Sequence, residues 1–519
     1  MVKKSDLWIS LIILLYLVVL IRNSWASDDA FITLRVINNI LHGYGPNWNV
    51  IERVQVYTHP LWLIALIPFY VATRNPFATL FIACIVFSTL TLLILLKKIS
   101  GVSWMMLIVT ALLLTSKSFM DYSSSGLENP FSHLLVTIFV WQVLRQDLSI
   151  SARVLTITLI VSLAMLNRLD TALIYLPTII LVMRQSLGEI RKIWKRLAAG
   201  FLPIIAWEFF SAIYYGFPFP NTYYAKLSTG ILQSDLYKQG WLYYQNALQW
   251  DHITIPFIAI VLVLTLIWGK ATRRSLAIGI VLYLLYILYI GGDFMSGRFF
   301  STPFIAAIAL FLSIPIKVNE KIGTAISVVL ASLVVFAGMT SVRPPLLIEP
   351  TTPKANVISE TGIADEKFVY FSCCSLLDQY LFGNAPTKVV ETALQARKDR
   401  VPFVLRESIG IFGFYAGPNV YVMDTVCLSD PLRARLPVEG EWRIGHFPRP
   451  YPDGYIESIV AGDSSQIQDP GLRKYNERLQ LITRGDLFSL DRLRTIIEFN
   501  LGFYDPLLEN YVARYRNEK

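Results

Sequence analysis

Long, uncharged apolar runs recur along this chain from residue 7 to about residue 340. A soluble protein assembles its cores from short amphipathic pieces, whereas runs approaching ~20 apolar residues match the hydrocarbon thickness of a bilayer. Composition points the same way. Only 16% of the 519 residues are charged and 54% are hydrophobic, whereas soluble domains carry about 25% charge. These values exclude a soluble enzyme, a disordered regulator, a coiled coil and a disulfide-built secreted module. The basic balance, +9 at pH 7, needs no nucleic acid to explain it, because cytoplasmic loops of membrane proteins are basic anyway.

Twelve apolar segments stand out, at 7–21, 60–73, 76–96, 103–116, 131–144, 154–167, 170–183, 197–215, 253–268, 275–290, 303–316 and 322–340. Segment 60–73 is short, begins at Pro60 and ends at Arg74-Asn75-Pro76, so it reads as dipping into the bilayer and returning. About eleven spans remain. With a cytoplasmic N-terminus, that count keeps the basic residues at 97–98, 145–153, 184–196, 270–274 and 317–321 inside. It places loops 22–59, 117–130, 216–252 and 291–302 outside. The expected architecture is a polytopic α-helical membrane domain over 1–344 and a soluble extracytoplasmic α/β domain over 345–519. In the second domain Lys367–Cys373, Pro402–Arg406 and Val420–Asp424 read as strands, and 387–399 and 486–499 as helices. The N-terminal apolar stretch reads as an uncleaved first span, since Trp25-Ala26-Ser27 is a poor cleavage site.

The outer loops carry the chemistry. Asp28 and Asp29 open a segment in which Phe31, Leu34 and Leu41 recur at helical spacing, which predicts a short helix lying on the membrane surface. A carboxylate in a helix's first turn stays ionised and is able to accept a hydroxyl proton. Capping is the alternative for each aspartate. Trp48, Tyr57 and Trp62 suit either stacking on sugars or anchoring at the interface. His42 and His59 lack the spacing of a zinc site, so no metal is assigned. Glu128 and Asn129 precede a span, where capping is again the alternative. Arg168 and Asp170 share a turn and pair locally or meet substrate. Arg298 is a candidate to hold an anion, with pairing to Asp293 as its alternative. Lys226 follows a Pro/Asn loop, and Asp430 and His446 fall in loop-like sequence. Of the four cysteines, Cys427 is a candidate partner for Cys373 or Cys374 if its domain is outside.

Taken in order, these residues resemble a known family. Asp28-Asp29-Ala30-Phe31-Ile32, His42-Gly43-Tyr44-Gly45, Ser125-Gly126-Leu127-Glu128, Asn167-Arg168-Leu169-Asp170 and Pro220-Asn221-Thr222-Tyr223-Tyr224-Ala225-Lys226 are similar to motifs of GT-C-type membrane glycosyltransferases. The relatives in view are the actinobacterial terminal arabinofuranosyltransferases and the type IV pilin arabinosyltransferases. Gly292-Asp293-Phe294-Met295, Arg298, Gly410, Gly413, Asp424, Asp430-Pro431 and Gly445-His446 extend the likeness. Leu169 departs from it, for the family often has Pro there. The resemblance implies a polyprenyl-phosphate sugar donor and no established cofactor, with a divalent cation left open. It implies an extracytoplasmic glycan or pilin-like protein as acceptor. Asp28 or Asp29 is then the base; Glu128, Arg168, Asp170, Asn221, Lys226, Asp293, Arg298, Asp430 and His446 are the substrate-binding candidates. An enzyme with its polar site outside is cut off from cytosolic nucleotide sugars, which independently favours a membrane-borne donor. The rival readings are a lipid-linked-sugar flippase or transporter and a non-catalytic glycan-assembly subunit. The absence of a P-loop argues against an ATP-driven pump.

Overall fold

The computed structural model describes residues 4–100, 104–145, 147–227, 229–316, 318–347, 358–377 and 387–518. Residue 317, one of the basic residues counted above, lies outside them.

Each of the twelve apolar segments is occupied by a helix, from Lys4–Asn23 to Glu320–Met339. Among the described residues six helices are long and apolar enough to cross a bilayer, or seven if Gln233–Trp250 and Thr254–Trp268, bent by 105° at their junction, make one span. Four further apolar helices, Pro60–Thr73, Met105–Thr115, Asn129–Leu144 and Arg298–Leu312, are shorter. Met105–Thr115 has 11 residues, which at ~1.5 Å per residue covers about 16 Å of a hydrocarbon core ~30 Å thick. Pro60–Thr73 is similarly short, and Pro68 interrupts it. The chain is a multi-pass, mainly helical protein.

Two compact units divide the chain, and they do not coincide with a cut after residue 344. The first comprises 1–27, 59–204 and 233–384, and the second 28–58, 205–232 and 385–519. In the first, apolar helices pack in pairs, Ala271–Tyr289 on Ala172–Gln185 and Glu320–Met339 on Met105–Thr115. A buried ionic group adds a specific tie: Lys367 reaches Asp121 at 3.1 Å and the Asn23 side chain at 2.7 Å, while Arg343 reaches Asp365 at 2.9 Å. Buried charges survive only when paired in this way. Asp365 also caps the helix Glu366–Cys374 by accepting from Phe368 N at 3.3 Å. This segment was expected as a strand on its β-favouring Phe-Val-Tyr-Phe run; the cap and the packing of a buried face override propensity.

The second unit is the α/β part. Strands Phe403–Arg406 and Tyr421–Asp424 pair in parallel from Phe403 opposite Tyr421 to Arg406 opposite Asp424. Helices Lys388–Lys398 and Leu490–Asn500 lie where expected. Its core gathers Phe217, Leu432, Tyr475, Leu479, Ile482 and Phe499. Helix Asp28–Leu41 forms as its periodicity predicts, but Ala30 to Ile37 are all buried, Arg35 included. It is an internal helix of this unit and not a surface one. The same correction applies to Trp48, Tyr57 and Trp62, which are almost wholly buried. Trp48 donates to Val422 O at 2.9 Å and Trp62 to Gly126 O at 3.1 Å, so each ring fills a core while its N–H is satisfied. The four cysteines are thiols, with no disulfide from Cys427 to Cys373 or Cys374.

Candidate active site

In the first unit the ends of several apolar helices bring five charged residues together. Arg168 ends helix Ile150–Asn167 and is followed by the tight turn Leu169–Thr171. Thr171 closes that turn by donating from its N and its Oγ1 to Arg168 O, so the turn needs no proline at Leu169. Glu128 stands immediately before helix Asn129–Leu144 and makes no side-chain cap; the capping alternative fails for it. Its carboxylate turns instead to Arg168 Nη1 at 3.0 Å and to Arg298 Nη2 at 2.9 Å. Arg298 lies in the turn that leads into helix Ser301–Leu312 and also approaches Asp293 at 3.7 Å. Arg168 grips Asp170 through both oxygens, at 3.0 and 2.6 Å. The local pairings considered for both arginines are therefore real, and both arginines go on to meet at Glu128.

Sequence reasoning missed the surroundings of this cluster. Tyr283 donates to Asp170 at 3.0 Å, the Phe299 ring lies 4.6 Å beneath the Arg168 guanidinium, and His59 Nδ1 stands 3.5 Å from Glu128. Tyr283, Tyr286 and Tyr289 recur in one apolar run, so nothing in the sequence singles out Tyr283. Burial pulls the Glu128 carboxyl upward, but Arg298 and Arg168 outweigh it and hold the group well below its ordinary value. Burial brings His59 down to about 4, so it is neutral and contributes little charge. Three carboxylates then face two guanidiniums. Glu128 is 1% exposed, whereas Arg168, Arg298 and Asp170 are 13%, 11% and 12% exposed.

The second unit holds the other candidates. Asp28 accepts from Gly410 N and Ile411 N, both at 2.8 Å, at the start of helix Gly410–Ala416. The approach is so close that a Cβ on Gly410 would stand 1.8 Å from Asp28 O. Burial pushes the Asp28 carboxyl up to about 6, against the pull of those two N–H groups. Asp29, next in the chain, is the more open of the two. Arg35 stacks on Trp48 and donates to Trp48 O, Gly413 O and Val420 O at 2.8–3.0 Å. This cage of carbonyls locks the helix carrying the aspartates.

Asn221 donates to the carbonyls of Cys427, Leu428 and Asp430 at 3.0–3.2 Å. Asp430 accepts from Leu432 N, Arg433 N and Tyr455 OH. The Asn221 amide and Asp430 Oδ1 are thus spent on holding loops, and Asp430 Oδ2 lies 3.8 Å from Arg433 Nη1. Lys226 lies near enough to His446 to help burial lower the imidazole, which falls to about 3. Thus Glu128, Arg168, Asp170, Asp293 and Arg298 form one cluster in the first unit, and Lys226 with His446 a smaller group in the second. Among the described residues no group of three or more His, Cys, Asp or Glu stands together as a metal site.

No family model matches the sequence. The chain is 24% identical to the terminal β-(1→2)-arabinofuranosyltransferase of Mycobacterium tuberculosis over 84% of its own length and 82% of that protein. It is also 24% identical to the terminal β-(1→2)-arabinofuranosyltransferase of Corynebacterium glutamicum, over 81% of this chain and 72% of that one. Among solved structures, ArnT from Cupriavidus metallidurans bound to undecaprenyl phosphate matches with a TM-score of 0.40 and 12% identity, covering 80% of this chain and 85% of ArnT. The resemblance carried by short motifs extends over more than four fifths of the sequence, and over that length the chain is similar to these membrane arabinofuranosyltransferases.

Proposed function

We propose that this protein transfers a sugar, D-arabinofuranose, from a polyprenyl-phosphate carrier to a glycan or protein acceptor on the outer side of a bacterial plasma membrane. The observation that carries this reading is the pair of guanidiniums, Arg168 and Arg298, converging on Glu128 where apolar helices end. A lipid-borne phosphate rides at that depth, and guanidinium forks match phosphate oxygens. Glu128 then serves as the counter-ion that lets two like charges stand side by side, and the phosphate competes with it for their N–H groups. The 24% identity to terminal arabinofuranosyltransferases supports the choice of sugar.

In the reaction the acceptor oxygen attacks the anomeric carbon as the bond to the carrier phosphate breaks. The phosphate keeps the bonding electron pair, and Arg168 and Arg298 stabilise its added charge. The hydroxyl proton passes to a carboxylate. Asp28 is buried and accepts from two backbone N–H groups, whereas Asp29 is partly exposed; on that difference in exposure the role of base is assigned to Asp29 and that of anchor to Asp28. A transporter would instead carry its ionisable residues at mid-membrane, away from helix ends.

The test is sugar transfer by the purified full-length chain from a synthetic polyprenyl-phosphoryl arabinofuranose. Replacement Asp29→Asn is expected to lower kcat by about 10²–10⁴-fold, and Arg298→Ala to raise the donor KM and lower kcat together. Full activity in Asp29→Asn removes the base assignment; no transfer by the wild-type protein from any polyprenyl-phosphate sugar removes the function.

A further inference from the structure

A second place in the molecule has the chemistry of a sugar site, and nothing in the reaction scheme above uses it. The second unit contains a cleft of about 230 Å³ lined by Tyr44, Asn47, Ile51, Glu52, Arg53 and Tyr214. Each wall is set in place before any ligand arrives. The turn carrying Tyr44 and Asn47 is closed by Tyr44 N on Asn39 O at 2.9 Å and by Asn39 Nδ2 on Asn47 O at 2.8 Å. Gly45 in that turn has φ of +80°, and a Cβ there would lie 2.4 Å from the Tyr214 hydroxyl. Only glycine permits both the backbone and the close approach of the tyrosine. The Tyr214 ring is itself stacked on Phe210, with centroids 5.1 Å apart.

The polar members are equally fixed. Glu52 accepts from Tyr421 OH at 2.8 Å and from Arg484 at 3.3 Å. Arg53 donates to the carbonyls of Ile482 and Gly485, and its backbone N to Thr483 O at 2.8 Å. Glu52 is paired with Arg484 at 3.3 Å and Arg53 is committed to backbone carbonyls, so neither charge is left to select an ionic ligand. Planar carboxylate, guanidinium and amide groups engage neighbouring hydroxyls in pairs, and tyrosine rings pack on the C–H face of a sugar. Groups immobilised beforehand cost little ordering entropy on binding.

We propose that this cleft binds a neutral, hydroxyl-rich saccharide unit of the acceptor. The choice of acceptor over an unrelated sugar rests on the transferase reading; the saccharide chemistry rests on the cleft alone. Two variants test it. Tyr44→Ala removes a ring that is 45% exposed, and Ile51→Trp fills the cleft from a residue that is 52% exposed, so neither disturbs a core. Binding is measured first, without donor, by saturation-transfer NMR on the full-length protein in nanodiscs, using an arabinofuranosyl trisaccharide and a mannosyl trisaccharide as probes. Transfer kinetics follow with the arabinofuranosyl probe as acceptor.

The wild-type protein is expected to bind the arabinofuranosyl probe, and each variant to bind it about tenfold more weakly. In kinetics the acceptor KM rises by a similar factor while the donor KM stays put. Wild-type binding of neither trisaccharide, or unchanged binding in both variants, overturns the proposal. Binding that is lost in the variants while the wild type transfers nothing keeps the cleft as a saccharide site and removes only the transferase reading.

Discussion

Glu128 and Asp28 are both buried carboxylates at the ends of helices, and their surroundings drive them in opposite directions. Glu128 is faced by two full positive charges and is held well below its ordinary value, despite burial. Asp28 is faced by two backbone N–H groups, and burial wins, pushing it up to about 6. A pair of guanidiniums compensates the lost hydration of a carboxylate; a pair of peptide dipoles compensates only part of it. The two units thus use one side-chain chemistry for two purposes. The first builds a charged cluster around it, and the second closes a helix onto it.

The largest expected effect comes from breaking the charged arrangement. Glu128→Gln leaves Arg168 and Arg298 beside each other with their shared counter-ion gone. Breaking a buried ion pair by removing one partner costs about 3–5 kcal/mol, so thermal unfolding in detergent should fall sharply at neutral pH. The pH dependence has a definite sign. A carboxyl held low when folded stabilises above its unfolded value of 4.5, and that stability is lost as pH drops further. The gap between wild type and variant should narrow on acidification below about 4.5. A constant gap means that the arginines do not hold Glu128 ionised.

Asp28→Asn sharpens the contrast with a smaller effect and an opposite slope. The amide offers one acceptor oxygen to two N–H donors and turns an NH₂ toward the other, a mismatch of about 1–3 kcal/mol. Because the folded pKa of about 6 lies above the unfolded 3.8, the wild-type protein gains stability as pH falls through this window. The gap should therefore widen from pH 6 toward pH 4 and be level above. Unfolding measured against pH in both proteins decides it, and a gap that instead closes on acidification shows Asp28 held ionised.

These two carboxylates also mark what sequence was able to reveal. Apolar runs are local, so all twelve segments are helices in the structure, and the Arg168–Asp170 pair, two residues apart, was visible as a possibility. The convergence on Glu128 was not, because Arg168 lies 40 residues away along the chain and Arg298 lies 170. Nor does a sequence distinguish Trp48 or Trp62 at an interface from the same ring in a core, since both settings reward an apolar body with one polar edge. The Gly410 and Gly413 motif was legible only as a pattern. Its reason is steric: a Cβ on Gly413 would lie 2.5 Å from the Trp48 ring, so these glycines let helix Gly410–Ala416 seat against the helix of the aspartates.

The smallest effect asks how far the charged cluster reaches. Tyr283 donates one hydrogen bond to Asp170 at 3.0 Å, and Asp170 in turn grips Arg168 through both oxygens. Tyr283→Phe removes only that hydroxyl. The aspartate keeps its bidentate partner, so the direct loss is about 0.5–1.5 kcal/mol. If Tyr283 fixes the angle at which Asp170 presents Arg168, the loss appears in donor binding. The donor KM should rise about two- to tenfold while the acceptor KM is unchanged. A hydroxyl that merely supports the fold lowers the unfolding temperature and leaves both KM values where they were. Steady-state kinetics on the two substrates, alongside thermal unfolding of the same preparations, separates these outcomes and sets the outer limit of the arginine site in the first unit.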